Sequence, residues 1–262
     1  MAEIKVIIHG ALGKMGQTML EGLSREDDIK VVGAVDIKAR EPVVISSRGA
    51  VPLNSDLSFL LNNINSDVLV DFSTAQATIP AARLAASHGI NLVIGTTGLG
   101  DSDIAEIAYL GEKYNIGAVV APNFALGAVV MIYLCRIAAR YFDWAEVVEL
   151  HHESKADAPS GTSLATVKAM LEEKGKSFSQ PDSLRSPSRG ELNGGVNIHS
   201  IRLPGIMAEQ EVIFGAPGQT LRLRHDTVGR ECYLPGVLLA VRKVVGMKGL
   251  IFGLDKLLGM ET

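Results

Sequence analysis

The chain has 262 residues, 47% of them hydrophobic and 21% charged, which is the composition of a globular protein with room for two cores or one core and a large insertion. A net charge of -4, with lysines and arginines scattered, excludes a basic patch for nucleic acid or an anionic membrane. No apolar segment reaches the roughly 20 residues that span a bilayer, and MAEIKVIIHG runs into a strand without the features of a leader. The two cysteines, Cys135 and Cys232, have no metal-type spacing, and reduced thiols in a cytoplasm are the expectation.

In chain order, the first half alternates strand and helix. Residues 4–10, 29–36, 66–73, 90–98 and 116–123 are β-branched runs, and helical patterns fill 14–25, 56–63, 75–89 and 101–114. Near-continuous apolar strands joined by helices predict a parallel sheet covered on both faces. Beyond Asn123 come a long helix over 124–142, a strand over 145–153 and a helix over 160–174. Residues 175–193 are polar and read as a surface loop. Strands are expected at 196–203, 209–216 and 220–227, then a helix at 234–246 and a short tail. The expected domains are 1–124 with 234–262 for a dinucleotide, and 125–233 for substrate and self-association.

After the first strand comes Gly10-Ala11-Leu12-Gly13-Lys14-Met15-Gly16, a variant of the dinucleotide fingerprint with its first two glycines three apart. Glycine permits a tight turn and lets a pyrophosphate approach the backbone at the N-terminus of the next helix. Asp36, twenty residues past Gly16 at the end of the second strand, stands where a carboxylate accepts ribose hydroxyls. Asp36 favours NAD, yet Lys14, Lys38 or Arg40 could neutralise a 2′-phosphate, so NADH and NADPH are both admitted. Three further loops, Asp71–Thr74, Gly95–Gly98 and Ala121–Phe124, follow predicted parallel strands, where ligands of open α/β sheets bind.

The densest chemistry lies in ELHHESKADAPSGT, Glu149 to Thr162, which holds His151, His152, Lys155 and Asp157 at a strand–helix junction. Consecutive strand residues face opposite sides, so the histidine pair is poorly placed to chelate one ion, and no metal is expected. A helix opening at Ser160 would present the N–H groups of Gly161 and Thr162 to a carboxylate or phosphate.

The glycine loop GALGKMG, the GTTG loop, the APNF loop and HHESKADAPSGT, in this order, resemble the dihydrodipicolinate reductase family from Ile4 to about residue 246. The resemblance implies a Rossmann-like parallel-sheet domain plus an α+β domain with a mostly open mixed sheet. It implies reduction of a cyclic, unsaturated imine dicarboxylate by NADH or NADPH on the route to diaminopimelate and lysine. His151 matches the family's proton donor and acceptor and Lys155 its proton donor; His152, Gly161 and Thr162 match substrate-binding positions. Gly10 to Met15, Asp36, Gly95, Thr96 and Thr97, and Ala121, Pro122, Asn123 and Phe124 match cofactor-binding positions. A homotetramer built through sheets of the second domain is also implied. Two departures stand out: Ile37 follows Asp36 where the family often has Arg, and Ala208-Glu209-Gln210 stands where it often has a further His. The competing readings are another two-domain amino-acid dehydrogenase, which has no need of His-His-x-x-Lys, and a non-catalytic NAD-sensing protein, which has no need of proton donors.

Overall fold

Apolar runs that are buried on both sides need helices on both sides, and this requirement shapes the first part of the chain. A computed structural model describes residues 3–180 and 186–260. The chain divides into two units, Met1–Leu126 with Tyr233–Thr262, and Gly127–Cys232.

The first unit runs β1 (Ile4–His9), α1 (Lys14–Ser24), β2 (Ile29–Val35), β3 (Val43–Ser46), β4 (Gly49–Asn54), α2 (Leu57–Asn63), β5 (Val68–Asp71), α3 (Ala75–Ser87), β6 (Asn91–Ile94), α4 (Asp101–Lys113) and β7 (Gly117–Val120). In the sheet β7, β6, β5, β1 and β2 lie side by side in that order, all parallel. Ile7, Leu69, Leu92 and Val120 face a core built with Leu60 of α2, Ile79 of α3 and Ile107 of α4. The alternate residues Val6, Ile8, Val68, Val70 and Val93 are buried on the opposite side.

The second unit contains α5 (Leu126–Ala139, begun at the last residue of the first), β8 (Trp144–His151), α6 (Gly161–Lys174), β9 (Glu191–Asn193), β10 (Val196–Arg202), β11 (Ala208–Ala216) and β12 (Gln219–Thr227). Its sheet has the order β12-β11-β8-β10-β9, with β10 parallel to β8 and β11 antiparallel to it. The mixed open sheet is as expected. One face carries Val147, Ile198, Val212 and Phe214 against Met131 and Cys135 of α5 and Val167 and Met170 of α6. The other face leaves Trp144 and Ile201 exposed and Val148, Leu150 and Ile213 half-buried. Among the described residues no helix is long and apolar enough to cross a membrane.

Three expectations need correction. Residues 37–55, unassigned from sequence, form the β3–β4 hairpin, whose β4 runs parallel to β2 and extends the sheet. Pro52 lies in β4 outside the two residues, Leu53 and Asn54, that pair with β2, and Val43 and Ile45 of the edge strand β3 are exposed; both features mask the strand pattern. The 247–262 tail instead continues past α7 (Leu234–Val244) into β13 (Gly249–Phe252) and α8 (Leu254–Leu257). β13 pairs in parallel with β7, a partner more than a hundred residues away that no local pattern announces. Within the 175–193 loop the described residues include β9 and a 3-10 turn at Pro187–Arg189, while 181–185 lie outside the described residues.

Phe214 is fully buried, with ring centroids 5.6 Å from Phe142 and 6.5 Å from Phe178. Phe214→Ala is expected to cost about 3–5 kcal/mol in urea unfolding, the usual range for a deleted core aromatic. A loss below about 1 kcal/mol would remove Phe214 from the centre of this core.

Candidate active site

The carboxyl edge of the parallel sheet gathers the loops singled out by sequence. β1 ends at His9 and the chain turns at once, with Gly10 and Ala11 N–H both donating to the Val35 carbonyl, at 2.8 and 3.0 Å. Gly10 has φ +80°, and a Cβ there would sit 2.6 Å from the Phe72 carbonyl oxygen. A Cβ on Gly16 would strike the Gly10 carbonyl. Only glycine lets the three backbone segments approach this closely. Gly13 is the N-cap of α1 and offers no capping side chain, and no acidic residue stands in the first turn occupied by Lys14 and Met15. The helix N-terminus thus keeps its positive pole for an anion.

Asp36 follows β2 and is buried, with Oδ2 accepting from Leu12 N–H at 2.9 Å and Oδ1 from Lys38 N–H at 2.9 Å. These bonds fix the carboxylate's orientation and leave each oxygen a further lone pair. Ile37, Lys38 and Arg40 beside it are exposed. After β6, Gly95 N–H donates to Asp71 O; Thr96 is buried and Thr97 exposed. Among the described residues Thr96 Oγ1 is buried without a hydrogen-bond partner, which is costly unless a ligand supplies one. After β7, Ala121 N–H donates to Ile94 O, Pro122 is exposed and Asn123 Oδ1 caps Ala125 N–H. Phe124 is buried with its ring 6.1 Å from that of Phe72. Bare Cα atoms, an uncapped helix and an orphaned buried hydroxyl fit a dinucleotide, which Gly10 to Met15, Asp36, Gly95 to Thr97 and Ala121 to Phe124 could hold.

In the second unit, β8 delivers its last residue, His151, to the end of the sheet, and alternation puts Glu149 on the same face. His151 Nδ1 lies 2.5 Å from Glu149 Oε2. An ionised carboxylate only accepts, so Nδ1 carries the proton and Nε2 is the free atom of the neutral ring. Glu149 has no solvent exposure, and the Arg202 guanidinium spans both its oxygens at 2.9 and 3.0 Å. Register explains the pairing: Ser200 of β10 lies beside Glu149, and Arg202 beside His151. Burial pushes the Glu149 carboxyl upward, but hydrogen bonds from Arg202, Ser200 and His151 outweigh it and hold it below the usual range. Burial holds His151 below the usual imidazole value; Glu149 opposes that shift, and the charges of Lys155 and Arg202 add to it.

The remaining groups follow in the turn after β8. His152 is exposed, its Nδ1 2.8 Å from Ser154 Oγ. Lys155 Nζ donates to Asp157 Oδ1 at 2.7 Å, and Arg202 also reaches the carbonyls of Lys155 and Asp157, tying the turn to β10. Helix α6 opens at Gly161, one residue later than expected, because Ser160 serves as N-cap and accepts from Ser163 N–H at 3.2 Å. Among the described residues no partner is found for the Gly161 and Thr162 N–H groups, and no acid stands in that first turn. Below them Ser163 Oγ donates to Gln210 Oε1, and Gln210 Nε2 to Thr166 Oγ1, so the departure at Gln210 is absorbed in a satisfied buried network.

The structure therefore brings His151, Lys155, Gly161 and Thr162 onto one segment of the second unit, and adds Glu149 and Arg202, to which sequence reading assigned no role. Glu149 was legible as the residue two before His151 on a strand. Arg202 was not, because only the β8–β10 register places it.

Two family models match consecutive stretches: "Dihydrodipicolinate reductase, N-terminus" over residues 4–124 and "Dihydrodipicolinate reductase, C-terminus" over residues 127–258. A 4-hydroxy-tetrahydrodipicolinate reductase of Dehalococcoides mccartyi is 51% identical over 261 residues, covering 98% of this chain and 99% of that one. One of Moorella thermoacetica is 44% identical, covering 98% of each. The solved structure of a dihydrodipicolinate reductase from Paenisporosarcina, with dipicolinate bound, superposes with a TM-score of 0.87 at 34% identity, covering 97% of this chain and 99% of that one. An amine dehydrogenase of Mycobacterium smegmatis, at 16% identity and a TM-score of 0.64, shares the fold alone. With both family models matched in order and close relatives aligned along nearly the whole length, the chain belongs to the dihydrodipicolinate reductase family.

Proposed function

We propose that His151 and Lys155 carry the proton transfers by which this chain reduces 4-hydroxy-tetrahydrodipicolinate, or its dehydrated form, to tetrahydrodipicolinate for diaminopimelate and lysine biosynthesis. The reductase activity follows from the family, and NADH or NADPH is its cofactor. The bound dinucleotide supplies a hydride. The residue roles rest chiefly on one observation, the 2.5 Å contact between His151 Nδ1 and buried Glu149.

Addition of hydride to a conjugated imine leaves an electron pair on carbon or nitrogen, and a positioned acid must supply the proton. With Nδ1 held by Glu149, His151 can load and release a proton only at Nε2. Because burial lowers its proton affinity, the imidazolium is a stronger acid than in water, and Glu149 keeps that form accessible. Lys155, ion-paired with Asp157, is the second proton donor and offsets the negative charge that develops. His152 and the N–H groups of Gly161 and Thr162 hold the substrate carboxylates. Glu149 and Arg202 are positioning residues that act through His151. Gly10, Ala11, Leu12, Gly13, Lys14, Met15, Asp36, Gly95, Thr96, Thr97, Ala121, Pro122, Asn123 and Phe124 hold the dinucleotide.

The assembly is a homotetramer formed through the open face of the second-unit sheet. Support comes from Trp144, Val148, Leu150, Ile201 and Ile213, a partly exposed apolar stripe on that face. The protein works in the cytoplasm, which suits its two free thiols.

The decisive assay couples dihydrodipicolinate synthase to this protein and follows oxidation of NADH and NADPH separately. Oxidation at background with both cofactors would sink the assignment. His151→Ala should lower kcat by about 10²–10⁴-fold with little change in KM, the signature of an acid used in the transition state. A variant that loses only affinity moves His151 into a binding role.

Glu149→Gln removes the group that raises His151's proton affinity, so the limb of the kcat/KM profile due to His151 should move to lower pH. An unmoved limb would exclude Glu149 as its positioning partner. Asp36→Ala should shift the ratio of kcat/KM values toward NADPH, since the carboxylate that repels a 2′-phosphate is gone; an unchanged ratio shows that Asp36 does not select. Sedimentation of Ile213→Glu should give species smaller than the tetramer, and a persisting tetramer would place the interface elsewhere.

A further inference from the structure

The order of strands in the first sheet reverses direction at β1: β2 lies on one side and β5 on the other. In open α/β sheets the crevice beyond the carboxyl ends at such a reversal is where a dinucleotide lies. Two side chains flank it here, His9 as the last residue of β1 and Asp71 as the last of β5, paired in register. Both point to the side of the sheet that carries α2, α3 and α4, since Ile7 and Leu69, two residues before each, belong to that core.

Asp71 is 1% exposed and fully engaged. Its Oδ1 takes His9 Nδ1 at 3.0 Å and Ser73 N–H at 3.0 Å, and its Oδ2 takes Thr78 Oγ1 at 2.5 Å. Burial raises this carboxyl, but the bonds from His9, Ser73 and Thr78 prevail and hold it ionised. An ionised carboxylate only accepts, so His9 carries its neutral-state proton on Nδ1 and exposes a lone pair at Nε2. Among the described residues Nε2 has no partner, although the side chain is only 13% exposed.

We propose that His9, oriented through Nδ1 by Asp71, contacts the dinucleotide through Nε2, and that its protonation strengthens dinucleotide binding. The inference rests on the cofactor reading above and adds a ligand residue and a pH dependence to it. Neutral His9 can only accept at Nε2, from a ribose hydroxyl; protonated His9 donates there and adds a positive charge beside the pyrophosphate. The other charged groups around this edge do not duplicate that change. Asp36 is committed to Leu12 and Lys38 N–H. Lys14, Lys38 and Arg40 are the other basic side chains near the glycine loop and the end of β2. α2 carries no titratable side chain, and the single charged residue of α3, Arg83, is paired with Glu106 of α4.

The test is the dissociation constant of NADH, read by nicotinamide fluorescence between about pH 6 and pH 8, the imidazole range. Wild-type affinity should weaken about tenfold as the pH rises, one order for the loss of one proton-linked contact. His9→Gln, which can still donate to Asp71 but does not titrate, should bind as wild type does at the upper end and lack the gain at the lower end. A His9→Gln profile with the wild-type slope overturns the inference. Should that variant fold poorly, calorimetry of the wild type in two buffers of different ionisation enthalpy decides: proton uptake on NADH binding is expected, and none overturns the inference. A wild-type chain that binds neither NADH nor NADPH at any pH defeats the cofactor reading and this inference together, whereas binding without pH dependence defeats this inference alone.

Discussion

A carboxylate cut off from water must be matched by donors or cations, because an uncompensated buried charge costs several kcal/mol. Glu149 is such a carboxylate, and three of its neighbours in the second unit are aimed at it. Arg202 grips both oxygens, Ser200 adds a hydrogen bond, and the remaining interaction goes to His151 Nδ1. The demand of one buried charge therefore sets the tautomer of His151, with Nδ1 held and Nε2 free. It also constrains the fold. If β10 slipped by one residue against β8, Arg202 would turn to the opposite face and leave Glu149 without its cation. The guanidinium reaches past the sheet to the carbonyls of Lys155 and Asp157, so the turn carrying Lys155 hangs on the same residue.

The two units each leave a helix N-terminus open, with the same physics and different chemistry. Each places the N-terminus of a helix after a strand. In α1 the N-cap is Gly13, which satisfies nothing with a side chain and lets the backbone itself be approached. In α6 the N-cap is Ser160, whose hydroxyl takes the third N–H and leaves the first two, Gly161 and Thr162. A large, extended phosphate group suits the first arrangement, and a small carboxylate the second. Neither first turn carries an acidic residue that would compete for the helix pole.

How much could be read without coordinates depended on how local the cause was. The parallel strands at 4–9, 68–71 and 91–94 announced themselves, because burial on both faces demands unbroken apolar runs. The glycine loop was legible for a similar reason: Gly10 and Gly16 mark places where backbone touches backbone, a requirement that no other residue type meets. The β3–β4 hairpin was not, since a proline inside β4 and outward-facing apolar residues on the edge strand β3 break the alternation that identifies a strand. β13 was missed because four residues hold as a strand only by pairing with β7.

The sequence by itself determined the chemistry available: two histidines, a lysine and bare helix N–H groups in one segment, and glycines and an aspartate in the order a dinucleotide requires. It did so because those residues act through types and spacings fixed along the chain. The tertiary structure alone decided the partners. Arg202 comes to Glu149, and Asp71 to His9, across strands separated by more than fifty residues. Which nitrogen of each imidazole is held and which is free follows from those contacts, since only register and strand order bring the carboxylates within reach.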